Sequence, residues 1–324
     1  MKFFTITAFL LTIQVASFSQ RINKADHKLL LQKEDSLKSY AYKLIQGINA
    51  SDRFKADSVF TRILVRSLTT KNSFYYPFDS LYTISRLYAP DSSFRIFTWQ
   101  MVINENIIRQ HGAIQMRTAD GSLKLFPLID KSDVTQDTED TVGNNFGWIG
   151  AVYYRIILTK NQNHPYYTLL GFDENNIRSN KKIIEVLDFV NGQPMFGGHF
   201  FNIPNGSLVP KNPARYIMEY KKESAAKLNY DDDLGVIIAE HLVSESKEPN
   251  KKWTYITDGD FEGFKWANGK WVFIDNVRNY TRRDPNVPME KPIRDDKGEI
   301  DYNKLKNNEA DPDSTSKPVK KKDN

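Results

Sequence analysis

Two segments near the start of the chain carry apolar residues at the three- and four-residue spacing of an amphipathic helix. Residues 22–48 place five of them on one stripe: Leu30, Leu37, Ala41, Leu44 and Ile48. Gly47 and Asn49 fit the end of this helix. Residues 51–67, with Ser51 as the expected N-cap, form a second stripe from Ala56, Val59, Phe60, Ile63 and Leu64. The short connection between them predicts an antiparallel helical hairpin.

From Phe94 onwards the apolar spacing changes to two, which is typical of strands with one buried face. Similar runs occur at 112–118, 122–129, 150–159, 166–172, 182–190, 195–203, 215–221, 234–243 and 253–257. Asp-Gly or Asn-Gly pairs at 120–121, 191–192, 205–206 and 268–269 favour type I′ turns, which join antiparallel strands. We therefore expect an α+β protein. An N-terminal helical hairpin (20–72) precedes a large antiparallel β-sheet body (73–280), either a sandwich or a partly open barrel.

Residues 1–19 have the organisation of a secretory signal peptide. Lys2 supplies a positive charge, residues 3–15 form an apolar run too short to cross a membrane, and Ser17 and Ser19 give a small-x-small cleavage site. No later run reaches the length of a transmembrane helix. The mature chain is therefore expected to be exported and soluble, in the periplasm or outside the cell, without an integral membrane segment.

Two further segments are too polar to form part of a core. Residues 131–147 are acidic and predict a flexible loop between strands. Residues 281–324 contain many Pro and charged residues and only scattered apolar ones, so they cannot bury enough surface to offset the entropy lost on ordering. We expect a disordered tail there.

The composition excludes several classes of function. The 324 residues include no Cys, which excludes disulfides, Cys-ligated zinc, iron–sulfur clusters and a thiol nucleophile. The net charge is +5, and removal of residues 1–19 takes away one Lys and leaves +4, which is too weak to indicate a nucleic-acid partner. There is no Walker loop, no Gly-x-Gly-x-x-Gly turn after a strand and no Gly-x-Ser-x-Gly elbow. No cofactor is expected.

The strongest local feature is a hairpin centred on Asn268-Gly269. Across this turn the sequence pairs Trp266 with Trp271 and Phe264 with Phe273. Such an aromatic surface could bind a flat ligand such as a sugar ring. The alternative is that these four residues form a layer of the hydrophobic core.

Metal ligation has two sets of candidates. Asp258, Asp260 and Glu262 alternate along a predicted strand, so their carboxylates would share one side and could hold Ca²⁺. His199 and His241 lie in apolar runs, where a histidine beside an acid could act as a base or a metal ligand. The alternatives are a solvated turn for the acids and ordinary hydrogen-bonded histidines.

The chain resembles uncharacterised exported proteins of Bacteroidota in two places. Its signal ends in Ser17-Phe18-Ser19-Gln20, and Gln often begins the mature chain in that group. The end of the folded body, from Asp258-Gly-Asp-Phe-Glu-Gly-Phe264 through Asn268-Gly-Lys-Trp-Val-Phe-Ile-Asp275, is also similar. The resemblance implies export and brings no known activity.

Two hypotheses of function follow. The first is a non-enzymatic binding or envelope-associated structural protein, whose partner would be a glycan or an envelope protein. It depends on the many aromatic strands and on the lack of a recognisable catalytic motif. The second is a metal-assisted hydrolase that acts on envelope or scavenged polymers through His199, His241 and nearby acids.

Overall fold

The computed structural model describes residues 22–204 and 212–277, together with Lys297. The predicted signal peptide (1–19), the Asn205-Gly206 pair and, apart from Lys297, the predicted tail (281–324) lie outside these residues.

Two helices and fifteen strands follow one another in the described part of the chain. The helices are α1 (Lys24–Gln46) and α2 (Ala50–Leu68). The strands are β1 (Ser85–Tyr88), β2 (Phe94–Asn104), β3 (Ile107–Met116), β4 (Lys124–Ile129), β5 (Gly143–Asn144), β6 (Val152–Asn161), β7 (His164–Asp173), β8 (Ser179–Val190), β9 (Gln193–Phe196), β10 (Phe201–Asn202), β11 (Arg215–Lys221), β12 (Leu228–Asp231), β13 (Val236–Ser244), β14 (Tyr255–Ala267) and β15 (Lys270–Ile274). The predicted α+β class is confirmed.

The first helix begins and ends close to where the sequence predicts. Asn23 caps it, because its side-chain oxygen accepts a hydrogen bond from the Asp26 amide at 2.8 Å. It stops before Gly47, so Ile48 lies beyond its end and is exposed, and Ile45 is buried instead. No helix among the described residues is long and apolar enough to cross a membrane.

The second helix runs antiparallel to the first and is tied to the sheet beneath by Arg53. Asn49, rather than Ser51, precedes α2. The buried Arg53 side chain donates to Val102 O and to Gly47 O, each at 2.6 Å. These bonds hold the turn between the helices against the end of β2. The predicted stripes supply the buried side of the hairpin: Leu30, Leu37, Ala41, Leu44, Ala56, Phe60 and Leu64.

Three mostly antiparallel sheets stack beneath the helices. The first sheet has the order β1-β2-β3-β4, and the third sheet has the order β10-β15-β14-β13-β12, in which β10 and β15 are parallel. The central sheet has the order β5-β9-β8-β7-β6, and β11 pairs with residues 179–185 of β8, on the same edge where β9 pairs with residues 187–190. Because each of the three sheets has open edges, they form stacked layers and not a barrel.

Alternating residues of the strands supply three separate cores. In β2, Phe97 and Trp99 pack against the helices, whereas Ile96 packs against the central sheet. In β8, Ile183 faces the first sheet and Ile184 faces the third. The central sheet is therefore covered on both faces, which explains why most residues of β7 and β8 are buried.

Two predicted turns are confirmed, and one predicted strand is divided. Residues 191–192 and 268–269 have the positive φ values of type I′ turns. The predicted run 195–203 separates into β9 and β10 because Gly197 and Gly198, with φ of +85° and +133°, turn the chain between them. Strands β1 and β12 were not predicted, since each is only four residues long.

Candidate functional site

A cavity lies between β11, at the edge of the central sheet, and strands β13, β14 and β15 of the third sheet. Its volume is about 490 Å³, which falls in the usual range of small-molecule sites. The apolar lining includes Ile203, Met218, Leu242, Tyr255 and Phe273. The acidic lining consists of Glu139, Glu219, Glu262 and Asp275, and the basic lining consists of Lys181, Lys252 and His241.

A β-bulge brings His241 to this cavity. The ladder between β13 and β14 shifts between Glu240 and Leu242, so His241 stands opposite the extra residues 258–260. Gly259 has a φ of +92° there, a value that glycine adopts without strain. Both His241 and Leu242 line the cavity as a result, although neighbours in a regular strand point to opposite faces.

The same bulge separates the carboxylates that regular alternation would place together. Asp258 hydrogen-bonds to His241 Nδ1 at 2.8 Å, Asp260 is exposed, and Glu262 lines the cavity. The prediction assumed a regular strand, and the bulge interrupts that strand between Asp258 and Glu262.

His241 and Asp258 form a half-exposed pair at the cavity. Partial burial disfavours the charged imidazole, but the hydrogen bond and the charge of Asp258 outweigh it and raise the pKa of His241. For Asp258, burial acts in the opposite direction to the His241 hydrogen bond, and the net effect lowers the pKa of this carboxyl. The pair is therefore held as imidazolium and carboxylate over a wider pH range than either group alone.

Glu262 meets a buried tyrosine from the opposite sheet. The Tyr216 hydroxyl donates a short hydrogen bond to Glu262 Oε1. Burial raises the pKa of Glu262, the Tyr216 bond opposes this rise, and the charges of Asp275 and Asp258 add to it. Burial and the neighbouring Glu262 charge also raise the pKa of Tyr216. The Tyr216 phenol therefore keeps its proton and donates it to the hydrogen bond. The Glu262 carboxyl loses its proton at a higher pH than an ordinary glutamate does.

Glu139 reaches the cavity from the predicted flexible loop 131–147. The loop is attached, because Arg215 donates from its backbone amide to Glu139 O at 3.0 Å and from Nη1 to Thr138 O. The prediction of a flexible loop is therefore wrong for the part that carries Glu139. Burial raises the pKa of Glu139, while the charge of Lys252 opposes the rise.

The four predicted aromatic residues form cross-strand pairs as expected, and most of them belong to the core. Trp266 lies opposite Trp271 and Phe264 opposite Phe273, with ring centroids 5.4 Å and 5.6 Å apart. Trp271 and Phe264 are fully buried. Trp266 donates from Nε1 to Lys160 O at 3.1 Å. Phe273 lines the cavity, so one of the four contributes to the candidate site.

The two histidines proposed as ligands do not share a site. His199 lies between β9 and β10, outside any strand, and its Nδ1 is 2.8 Å from Asn212 O and 3.5 Å from Asp140 Oδ1. His241 contacts Asp258 at the cavity. Within residues 22–204 and 212–277, no three His, Asp or Glu side chains are placed to hold a metal ion together.

Glu139 and Tyr216 are among the site residues that the sequence does not reveal. Glu139 lies in an acidic loop among similar residues, and its position depends on Arg215, far along the chain. Tyr216 lies at an ordinary inward position of a predicted strand. Only the pairing of β11 with β8 and the packing of the two sheets bring them to the same cavity as Glu262.

Replacing Asp258 with asparagine is expected to lower the pKa of His241 toward the ordinary value of about 6.5. The substitution removes the charge that favours the imidazolium. Titration of the His241 ring protons by NMR measures this change. His164 provides the control, because its carboxylate partner is Asp188, which the substitution leaves in place. An unchanged His241 midpoint would show that the pair does not form in solution.

Replacing Glu262 with glutamine is expected to stabilise the fold at neutral pH by about 0.5 kcal/mol or more. A carboxyl whose folded-state pKa is raised destabilises the fold while it is ionised, and this cost disappears as pH falls below the ordinary value of about 4.3. The gain should therefore be present at about pH 8 and vanish near pH 4. Urea unfolding at both values measures it, with the exposed Glu245→Gln as the control. A loss of stability at about pH 8 would contradict the expectation.

Comparison of the chain with models of known protein families, with curated proteins and with solved structures finds no match.

Proposed function

We propose that this chain is a non-enzymatic binding protein that encloses a small organic ligand in the cavity between β11 and strands β13–β15. The observation that carries the proposal is the cavity itself, with a volume of about 490 Å³ and a lining that is partly apolar and partly charged. Sites for small molecules combine an apolar wall with a few polar groups that fix the orientation of the ligand. Export to the periplasm or the exterior is part of the same proposal, and the signal-peptide pattern of residues 1–19 supports it.

The partly buried carboxyls of Glu139 and Glu262 support a binding role because, when ionised, they lower the stability of the fold. Glu139 and Glu262 have raised pKa values, and burial is the main cause in each case. Groups that weaken a fold are found where function requires them. A bound ligand that neutralises or hydrogen-bonds these groups would remove part of that cost.

The test is a cavity-filling substitution. Leu242→Trp should place an indole in the cavity. It should therefore abolish the binding of each compound that binds the wild-type protein in a survey of fragments and small sugars by ligand-observed NMR. Leu234→Trp is the matched control, because Leu234 is exposed in the turn before β13 and does not line the cavity. Compounds that bind the Leu242→Trp variant as well as the wild type, or a survey without any binder, would overturn the proposal.

A second candidate function is a hydrolase that uses carboxyl groups as acid and base. Its support is that Glu139 and Glu262, both with raised pKa values, line one cavity. The wild-type protein would then hydrolyse a chromogenic glycoside or ester. Loss of this turnover in Glu262→Gln but not in Glu245→Gln would favour the hydrolase over a protein that only binds. Ligand binding without turnover would favour the first proposal.

A further inference from the structure

Among the described residues that line it, the cavity carries more negative than positive groups. Four acids line it, against two lysines and His241, and His241 is already hydrogen-bonded to Asp258. Glu219 is also engaged, because it accepts hydrogen bonds from Ser179 Oγ at 2.5 Å and Asn175 Nδ2 at 3.3 Å. The negative charges that a ligand could neutralise are therefore those of Glu139, Glu262 and Asp275.

Glu262 can accept further hydrogen bonds from a ligand. Its hydrogen-bond donor is the Tyr216 hydroxyl, and no Lys, Arg or His nitrogen lies within 4.0 Å of it in the described part of the chain. A carboxylate offers about four acceptor positions, so further donors can be accommodated. Asp275 and Asp258 add negative charge around it, and His241 is the basic group that partly offsets them. This end of the cavity therefore favours a cation.

The remainder of the lining favours an apolar body. Met218, Leu242, Tyr255 and Phe273 line the same cavity. A hydrated metal ion would leave this apolar surface unused, and an anion would be repelled by the Glu262 end. An organic ammonium ion satisfies both parts, since aromatic rings also attract cations.

We propose that the ligand is an organic amine whose ammonium group binds between Glu262 and Asp275 and whose apolar body packs against Leu242, Tyr255 and Phe273. This rests on the proposed function, since it names the ligand class of the same cavity. The three donors of a primary ammonium can bond to acceptor positions of these two carboxylates that no side chain occupies in the described part of the protein.

The experiment compares three probes with the same ring, namely benzylammonium, benzyl alcohol and benzoate, by isothermal titration calorimetry on the full chain. Benzylammonium should bind roughly tenfold or more tightly than benzyl alcohol, because one charge-assisted hydrogen bond corresponds to about that factor. Benzoate should bind most weakly. Glu262→Gln should remove the preference for benzylammonium over benzyl alcohol, and the exposed Glu245→Gln should leave that preference unchanged.

The outcomes separate this inference from the proposed function. If benzyl alcohol or benzoate binds the wild type better than benzylammonium, and Leu242→Trp abolishes that binding, the cavity is a ligand site but the amine assignment is wrong. If the ammonium preference survives in both Glu262→Gln and Asp275→Asn, the assignment is also wrong. If none of the three probes binds, the amine assignment is wrong. The proposed function is then tested separately by the NMR survey of fragments and small sugars.

Discussion

Replacing Arg215 with methionine is expected to lower the free energy of unfolding by about 3–5 kcal/mol, the usual cost of breaking a buried ion pair. Arg215 Nε lies 3.1 Å from Glu185 Oε2, and both side chains are almost completely buried. Without the guanidinium, the Glu185 carboxylate would remain inside the central sheet with the Tyr153 hydroxyl as its donor. An uncompensated charge at such a site is far more costly than the absence of the pair.

Equilibrium unfolding in urea measures this loss, and a surface pair provides the control. Arg109 and Asp133 form an ion pair in which both side chains are nearly half exposed, so Arg109→Met should cost at most about 1 kcal/mol. The double variant Arg215→Met, Glu185→Gln should recover part of the loss, because the buried charge is gone. Equal losses at Arg215 and Arg109 would contradict the interpretation.

The Arg215 substitution should also alter the cavity. Its guanidinium donates to Thr138 O, next to Glu139, and Glu139 lines the site. Loss of this bond should loosen the loop at the point where it forms a wall, because only the backbone bond from Arg215 N to Glu139 O would still join this part of the loop to Arg215. A weaker affinity for the cavity ligand is therefore expected even at temperatures where the variant is fully folded.

The second large effect is expected at Arg95, where replacement by methionine should cost about 3 kcal/mol or more because buried carbonyl oxygens lose their donors. Arg95 is fully buried. It donates to Tyr76 O at 2.5 Å, Ser73 O at 2.8 Å and Gln115 Oε1 at 2.8 Å. Its guanidinium also lies 4.7 Å from the centre of the Phe97 ring.

Arg95 differs from Arg215 because no carboxylate pairs with it in the described part of the chain. Burial lowers its pKa to about 10, so it is still charged at neutral pH. Its role is to hold the segment around Ser73 and Tyr76, which joins α2 to β1, against the first sheet. Arg95→Lys keeps the charge but loses the forked donors, so urea unfolding should show a loss close to that of Arg95→Met. A lysine variant as stable as the wild type would show that charge alone is sufficient.

The local features of this fold could be predicted from the sequence, and the reason is that they depend on neighbouring residues. The turn at 268–269 sets the register of its own hairpin, so the pairing of Trp266 with Trp271 follows from spacing. The helical stripes likewise predict their own buried faces. Ile48 was misplaced because the helix ends two residues before it.

The candidate site could be predicted only in part, because long-range pairing places its residues. His241, Glu262 and Phe273 were singled out, each for a reason other than the cavity that unites them. The bulge at 258–260 cannot be recognised in the Asp-Gly-Asp pattern, since it exists only through the pairing with β13, where three residues of β14 stand opposite His241. The division of the strands into three sheets depends on contacts that no local spacing encodes.

The position of the cavity in the stack bears on how such a protein can diversify. Apart from Ile217, which packs against the core between the first and central sheets, the walls of the cavity belong to the third core and to the surface beside it. Substitutions in those walls therefore leave two of the three cores intact. Descendants of this chain could exchange one ligand for another over evolutionary time while retaining the same architecture.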